Sequence, residues 1–299
     1  MRIDPNFVLG LVNAVNQTSA NQQTYTTELS TGVTVNSLSD NPAAASQDFL
    51  IRSEINSNDS FVQSTATLTG QMQVTDTALG GVVTQLTTAI SLATAGNNGT
   101  LNSSNVISIS NQLAGLRDEL LSLANSSYQG QYLFAGSKTQ TQPFSLGAGS
   151  PPPVIYSGDS TITTTVTPGG QSLQTNLPGN QLFGSGSTGL LAVMNSLVND
   201  FSSGTPSASS ITDTEALTTS LQNFSQQRVL LDNSLNRLQS SSTYAQNETA
   251  QLQAAQNAVI QANPTELATE LSQTTTQHTS LIDMIANLDN QPTLFSLLR

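Results

Sequence analysis

"ALTTSLQNFSQQRVLLDNSLNRLQSSSTYAQNETAQLQAAQNAVI", Ala216 to Ile260, repeats an apolar residue at every seventh position. Leu217, Phe224, Leu231, Leu238, Ala245, Leu252 and Val259 follow one another without a break. A period of seven keeps one stripe on a single side of a helix, which is what packing along another helix requires. The companion stripe begins as Leu221 and Leu235 with Arg228 between them, then weakens to Ser242, Thr249 and Gln256. This seam is firm at one end and thin at the other.

The same pattern recurs outward from it. The loop "SSGTPSASSITD" precedes this helix, with Thr212 or Asp213 as its cap. Pro264 breaks it, and a further helix restarts with Leu267, Leu271, Thr274, His278, Leu281, Ile285 and Leu288 on one face. In the other half of the chain, Phe7, Leu11, Ala14, Thr18, Tyr25 and Leu29 share a face, and Gly32 suits a helix stop. Asp40 or Asn41 can cap the next helix, with Pro42 at its first position, where a missing N–H costs nothing. That helix is predicted from Pro42 to about Ala95, a rod on the order of 75 Å at ~1.5 Å per residue. Met72, Leu79, Val83, Leu86, Ile90 and Ala93 form its seam. "GNNGT" ends it, and a third helix, about 103–127, carries Leu113, Leu116, Leu120 and Leu123.

Between Gly130 and Gly189 the texture changes to Pro, Gly, Thr and short alternating runs, such as "TITTTVTPGG" with Ile162, Thr164 and Val166. Short strands are predicted there. The stretch "GQYLFAGSKTQTQPF" holds three of the 14 aromatic residues, and Tyr132, Leu133 and Phe134 are expected to form a short buried strand packed against the helices. The fold class is therefore mainly α. Long antiparallel coiled-coil or helical-bundle rods come from both chain halves, with a small β-rich insert domain in the middle. Residues 1–35 and 264–299 are expected to make a terminal helical assembly domain, 36–130 and 190–263 a rod domain, and 131–189 the insert. Leu79, Leu86, Ile90, Leu231, Leu238 and Leu252 fall in the rod core, with Tyr132, Leu133 and Phe134 at its hinge to the insert.

Composition narrows the function. Charged residues make up 9% of the 299, and the formal charge is −12. The seven basic residues, Arg2, Arg52, Arg117, Lys138, Arg228, Arg237 and Arg299, are scattered singly, so no basic stripe can neutralise phosphates or seek an anionic membrane. Neither nucleic-acid binding nor membrane insertion is expected, since no apolar run nears the ~20 residues of a span. Asp4 and Pro5 interrupt the apolar N-terminal stretch and argue against a cleaved signal peptide. Cysteine is absent, which excludes disulfides and thiolate metal sites.

Chemistry-bearing motifs are few. Gly184 to Gly189 matches G-x-G-x-x-G, but no parallel α/β alternation surrounds it, and it reads as a Gly/Ser connector leaving the insert. His278 is the single histidine and lies on an apolar stripe, so a packed interface residue is the reading, with a pH-sensitive contact as the alternative. Asp118/Glu119 point to different sides of a helix, and Glu266/Glu270 sit near a helix N-terminus, where acids are favoured. No nucleophile accompanies either pair. No catalytic residue, cofactor or metal is expected, and the protein is read as no enzyme.

Three blocks carry a family resemblance. "LSTGVTVNSLSDNPAAASQDFLIRSEI" (Leu29 to Ile55) is similar to the N-terminal signature of the bacterial flagellin family, a helix ending in L-S-S/T-G before a turn and an Ala-rich helix start. "GNNGTLNSSN" resembles that family's A-x-N-G-T turn. "GQYLFAGSKTQTQPF" followed by "VIYSGD" resembles the hook-associated protein 3 branch, where flagellin itself usually has an F-N-G-x-K segment that is missing here. "LPGNQLFG" resembles the close of that branch's insert, and "LFSLLR" the family's apolar tail, although its last residues lean towards flagellin.

The resemblance implies a structural protein of the bacterial flagellum, extracellular and exported unfolded by the flagellar type III route. Its implied place is the junction between hook and filament, with flagellin forming the filament as the alternative. Implied partners are further copies in a ring, hook-associated protein 1 on the hook side, flagellin on the filament side, and an export chaperone at the C-terminal region. Subunit packing is then expected at Phe7, Leu11, Tyr25, Leu29, Leu267, Leu271, Leu281, Ile285, Leu288, Phe295, Leu297 and Leu298. The terminal helices, each with one apolar stripe, are expected to be poorly ordered alone and helical on assembly.

Overall fold

Heptad spacing becomes helix in both chain halves. In the computed structural model, which describes residues 5–149, 151–186 and 189–289, the long helices are α1 (Pro5–Thr31), α2 (Pro42–Gly96), α3 (Ser103–Ala124), α5 (Leu190–Ser202), α6 (Ser209–Ile260) and α7 (Pro264–Asp289). A single turn, α4 (Gly179–Leu182), lies between α3 and α5. Six short strands make three antiparallel pairs: β1 (Ser127–Tyr128) with β2 (Gln131–Tyr132), β3 (Phe144–Leu146) with β4 (Val154–Tyr156), and β5 (Thr164–Val166) with β6 (Ser172–Gln174). The chain divides into two units, residues 58–247 and the segments on either side of them.

The flanking unit contains α1, α7, the start of α2 and the end of α6. Both terminal helices are formed and packed on each other within a single chain. α1 stops at Gly32, whose φ of +75° suits a residue without Cβ. The two helix breaks are stitched together: Thr34 N donates to Ile260 O at 2.8 Å, and Ala262 N donates to Gly32 O at 3.0 Å. Asn41, not Asp40, caps α2, its Oδ1 accepting from Ala44 N at 3.1 Å. Asp40 instead closes the preceding turn, accepting from Asn36 N, Ser37 N and Ser37 Oγ.

In the central unit the α2 seam is Met72, Leu79, Leu86 and Ala93, with Thr75, Val82 and Ala89 as the companion row; all are buried. The expected Val83 and Ile90 are half-buried at its margin. Each lies one position beyond the seven-residue row, far enough round the helix to leave the contact. On α6, Leu217, Phe224, Leu231, Leu238 and Ala245 are buried. The two helices run antiparallel in this unit: the α6 partner shifts from Ser210 to Arg228 as α2 is followed back from Asn97 to Asp76. α3 packs on α5, with Ser110 Oγ donating to Val198 O at 2.7 Å.

Several boundaries differ from the expectation. α3 ends at Ala124 because Asn125 leaves the helix to hold Phe144, accepting from its N and donating to its O, both at 2.9 Å. α6 starts at Ser209, ahead of Thr212 and Asp213. Ile162 and Val166 face solvent, and Leu173 on the opposite strand is the buried residue of that hairpin. Hairpins this short pack one residue rather than a face. α2 also contains a window long and apolar enough to cross a membrane, where none was expected. Part of its apolar surface is taken up by the buried seam of the central unit.

Candidate assembly surface and helical core

The α1–α7 pair meets along a thin stripe. Leu11 and Thr18 of α1 are buried, and Ala14, Val15, Tyr25 and Glu28 are half-buried. On α7, Leu267 and Thr274 are buried, and Leu271, His278, Leu281, Ile285 and Leu288 are half-buried. Phe7 and Leu29 are exposed, at 49% and 42%, and Glu28 takes the inward place next to Leu29. Phe295, Leu297 and Leu298 lie outside the described residues.

Much apolar surface in this unit is left open. Phe7, Val8, Leu9 and Val12 on α1 and Ile282 and Met284 on α7 are all exposed. A groove of about 540 Å³ separates the two helices between Ala14, Thr18, Leu281 and Met284. The polar lining is Gln, Asn, Thr and Ser rather than charge. Such a surface suits close packing with another helix more than it suits a small charged ligand.

Charge in this unit is unbalanced. Burial, with Asp40 and Glu270 close by, raises the Glu28 carboxyl above its ordinary range. Burial and the Glu270 carboxylate likewise raise Tyr25. Arg52 is spent on Asp48 at 2.8 Å, one helical turn away. Asp40 is held below its usual range by the Ser37 hydroxyl and by the Ser37 and Asn36 amides.

The rod-core residues divide between the units. Leu79, Leu86, Leu231 and Leu238 are buried, Ile90 is half-buried, and Leu252, in the flanking unit, is half-buried. Tyr132 ends β2 and is half-buried, whereas Leu133 and Phe134 are buried beyond the strand. Gln129 and Gly130, at φ +51° and +79°, make the tight turn between β1 and β2. Phe134 enters a ring cluster with Phe183 at 5.3 Å, and Phe183 also meets Phe144 at 5.3 Å and Phe224 of α6 at 5.1 Å. The insert is thus fastened to the helices by edge-to-face aromatic contacts.

Polar staples complete the insert, and heptad reading has no means of finding them. Asp159 accepts from Ser137 N at 2.9 Å, from Ser137 Oγ and from Thr161 N at 3.0 Å, which hold its carboxyl well below the usual range. The Tyr156 hydroxyl donates to Phe134 O and Asp159 O at 3.0 and 2.7 Å. Asn195 on α5 accepts from Arg117 at 3.1 Å and donates to Pro152 O at 2.8 Å. Leu190 N at the start of α5 donates to Phe183 O at 2.8 Å. Among the described residues no cluster of three metal-ligating side chains occurs.

The succession from α1 through α2 and α3 to the first hairpin has a counterpart in a family model. Residues 8–139 match the bacterial flagellin N-terminal helical region. Two curated relatives match part of the chain. Flagellar hook-associated protein 3 of Salmonella typhimurium is 32% identical over 140 residues, covering 46% of this chain and 43% of that protein. Its Escherichia coli namesake is 33% identical over 135 residues, covering 45% and 43%. The matched stretch is less than half the length of either relative. A solved structure from Vibrio parahaemolyticus, assigned as a flagellar hook-associated protein, superposes with a TM-score of 0.64 at 19% identity, covering 74% of this chain and 100% of that one. At that identity the likeness is one of fold. It supports a mainly helical fold with a small β-rich insert.

Proposed function

We propose that this chain is a structural, non-enzymatic subunit of the bacterial flagellum, acting at the junction between the hook-side adaptor and the flagellin filament. The observation that carries the reading is the joint presence of a flagellin-type helical region and the insert block Gly130 to Phe144, which resembles hook-associated protein 3. The open apolar surface of α1 and α7 supports it. Covering Phe7, Val8, Leu9, Val12, Ile282 and Met284 with neighbouring copies would recover roughly 25 cal/mol for each Å² of apolar area.

In this reading residues 1–35 and 264–299 pack subunits into a ring, with hook-associated protein 1 on one side and flagellin on the other. Export follows the flagellar type III route with a chaperone on the C-terminal region. Deletion of the gene followed by electron microscopy of the cells tests the junction role. Hooks without filaments, and flagellin shed into the medium, are expected. Filaments that persist on the deleted strain would overturn it. Long homopolymers of the purified protein would point instead to flagellin.

A further inference from the structure

We propose that Asn98 is a site of spontaneous covalent modification, converting to aspartate and isoaspartate, and that the conversion loosens the joint between α2, α3 and the start of α6. Asn98-Gly99 is the one Asn-Gly pair in the sequence. It lies in the exposed turn after α2, and Gly99 adopts φ +48° with nothing within 4 Å of the place a Cβ would occupy. The absence of a side chain leaves the Gly99 amide nitrogen unhindered, and no hydrogen bond in the described structure engages that amide. The Asn98 carboxamide is likewise without a partner there, so amide and carboxamide are adjacent and both free.

Neighbouring asparagines are restrained by comparison. Asn97 Oδ1 accepts from Ser210 Oγ at 2.6 Å, while its Nδ2 donates to Thr214 Oγ1 at 3.2 Å. Asn125 uses both amide atoms on Phe144 at 2.9 Å. Asn102 Oδ1 caps α3 by accepting from Asn105 N at 2.9 Å. Of the four, only Asn98 combines a glycine neighbour, exposure and an unengaged side chain.

The chemistry is an intramolecular acyl transfer, favoured by proximity. The Gly99 nitrogen, deprotonated by hydroxide, attacks Asn98 Cγ and a C–N bond forms. The side-chain nitrogen leaves as ammonia, and a five-membered cyclic imide remains. Water then opens the ring at either carbonyl, giving aspartate or isoaspartate. The net change is amide plus water to acid plus ammonia, with no oxidant or reductant.

The product conflicts with its surroundings in two ways. A carboxylate appears at the C-terminal end of α2, where the last carbonyls already present partial negative charge. The isoaspartate form also adds a carbon to the backbone next to Asn97, the residue that clamps α2 to Ser210 and Thr214.

The purified full chain is incubated at mildly alkaline pH and mapped by peptide mass spectrometry with an isoaspartate-specific methyltransferase. Conversion at Asn98 is expected to be several-fold faster than at Asn97, Asn102 or Asn125, and Asn98→Gln should abolish it without changing the unaged melting temperature. Equal rates at the four sites would overturn the assignment. Hydrogen exchange on the aged chain should be faster than on aged Asn98→Gln across residues 93–103 and 207–215. Unchanged exchange after full conversion would overturn the loosening.

Discussion

The guanidinium of Arg228 on α6 donates to both carboxylate oxygens of Asp76 on α2, at 2.7 and 3.0 Å. Arg228 occupies the companion row of the α6 seam, where Leu221 and Leu235 flank it, so a charge stands where the pattern asks for leucine. The two-pronged geometry sets the register of α2 on α6, and the Asp76 hydrogen bonds raise the Arg228 pKa further. Both side chains are about a third exposed, at 35% and 30%, which limits the energy of the pair. Arg228→Ala is expected to cost about 1 kcal/mol in urea unfolding. A double-mutant cycle with Asp76→Ala should return a coupling of about 0.5–1 kcal/mol, and no coupling would show that the pair does not hold the register.

Thr65 sits one heptad before Met72 on α2, 3% exposed, with a hydroxyl that finds no partner. Burying an unpaired hydroxyl carries a desolvation cost that a methyl group of the same shape avoids. Thr65→Val should therefore raise stability by about 1 kcal/mol, read as a higher urea midpoint at unchanged slope.

Phe183 bridges insert and helices through three ring contacts and is 1% exposed. Phe183→Ala should cost about 3–5 kcal/mol in global unfolding, with Phe183→Leu losing less because it fills more of the cavity. Equal losses for the two variants would count against a cavity as the cause.

Asp159 gives a pH dependence with a defined sign. Its folded pKa is depressed, chiefly by the Ser137 hydroxyl, then by the amides of Ser137 and Thr161. The stabilisation is fully present above the ordinary carboxylate value near 3.8 and is lost as pH falls below it. Glu28, whose pKa is raised, contributes with the opposite sign, so the measured quantity is the difference between wild type and Asp159→Asn. That difference should be largest at neutral pH and shrink in acid. A gap in melting temperature that stays constant with pH would rule out the carboxylate as its source.

The outcome at particular residues separates what was legible in the chain from what was not. Gly32 as a stop, a helix start at Asp40 or Asn41 with Pro42, and one shared apolar face from Leu267 to Leu288 were readable, because each depends on neighbours within a turn or two. Leu79 and Leu86 were readable as core for the same reason. Val83 and Ile90 were misplaced by one position, since a heptad can be phased more than one way until the partner helix chooses a side. Phe7 and Leu29 share the face on paper but stay exposed, because α7 covers only the stripe through Leu11, Thr18 and Tyr25.

The sequence by itself determined that this protein is built of heptad helices with a small β-rich insert, because periodicity and turn chemistry are local properties of a chain. Only the tertiary structure decided that Asn125 would end α3 to hold Phe144, and that Phe183 would join Phe134 and Phe144 to Phe224. It likewise decided that Arg228 would find Asp76 152 positions away. Those bonds join segments with no shared period, so nothing along the chain announces them until folding brings their ends together.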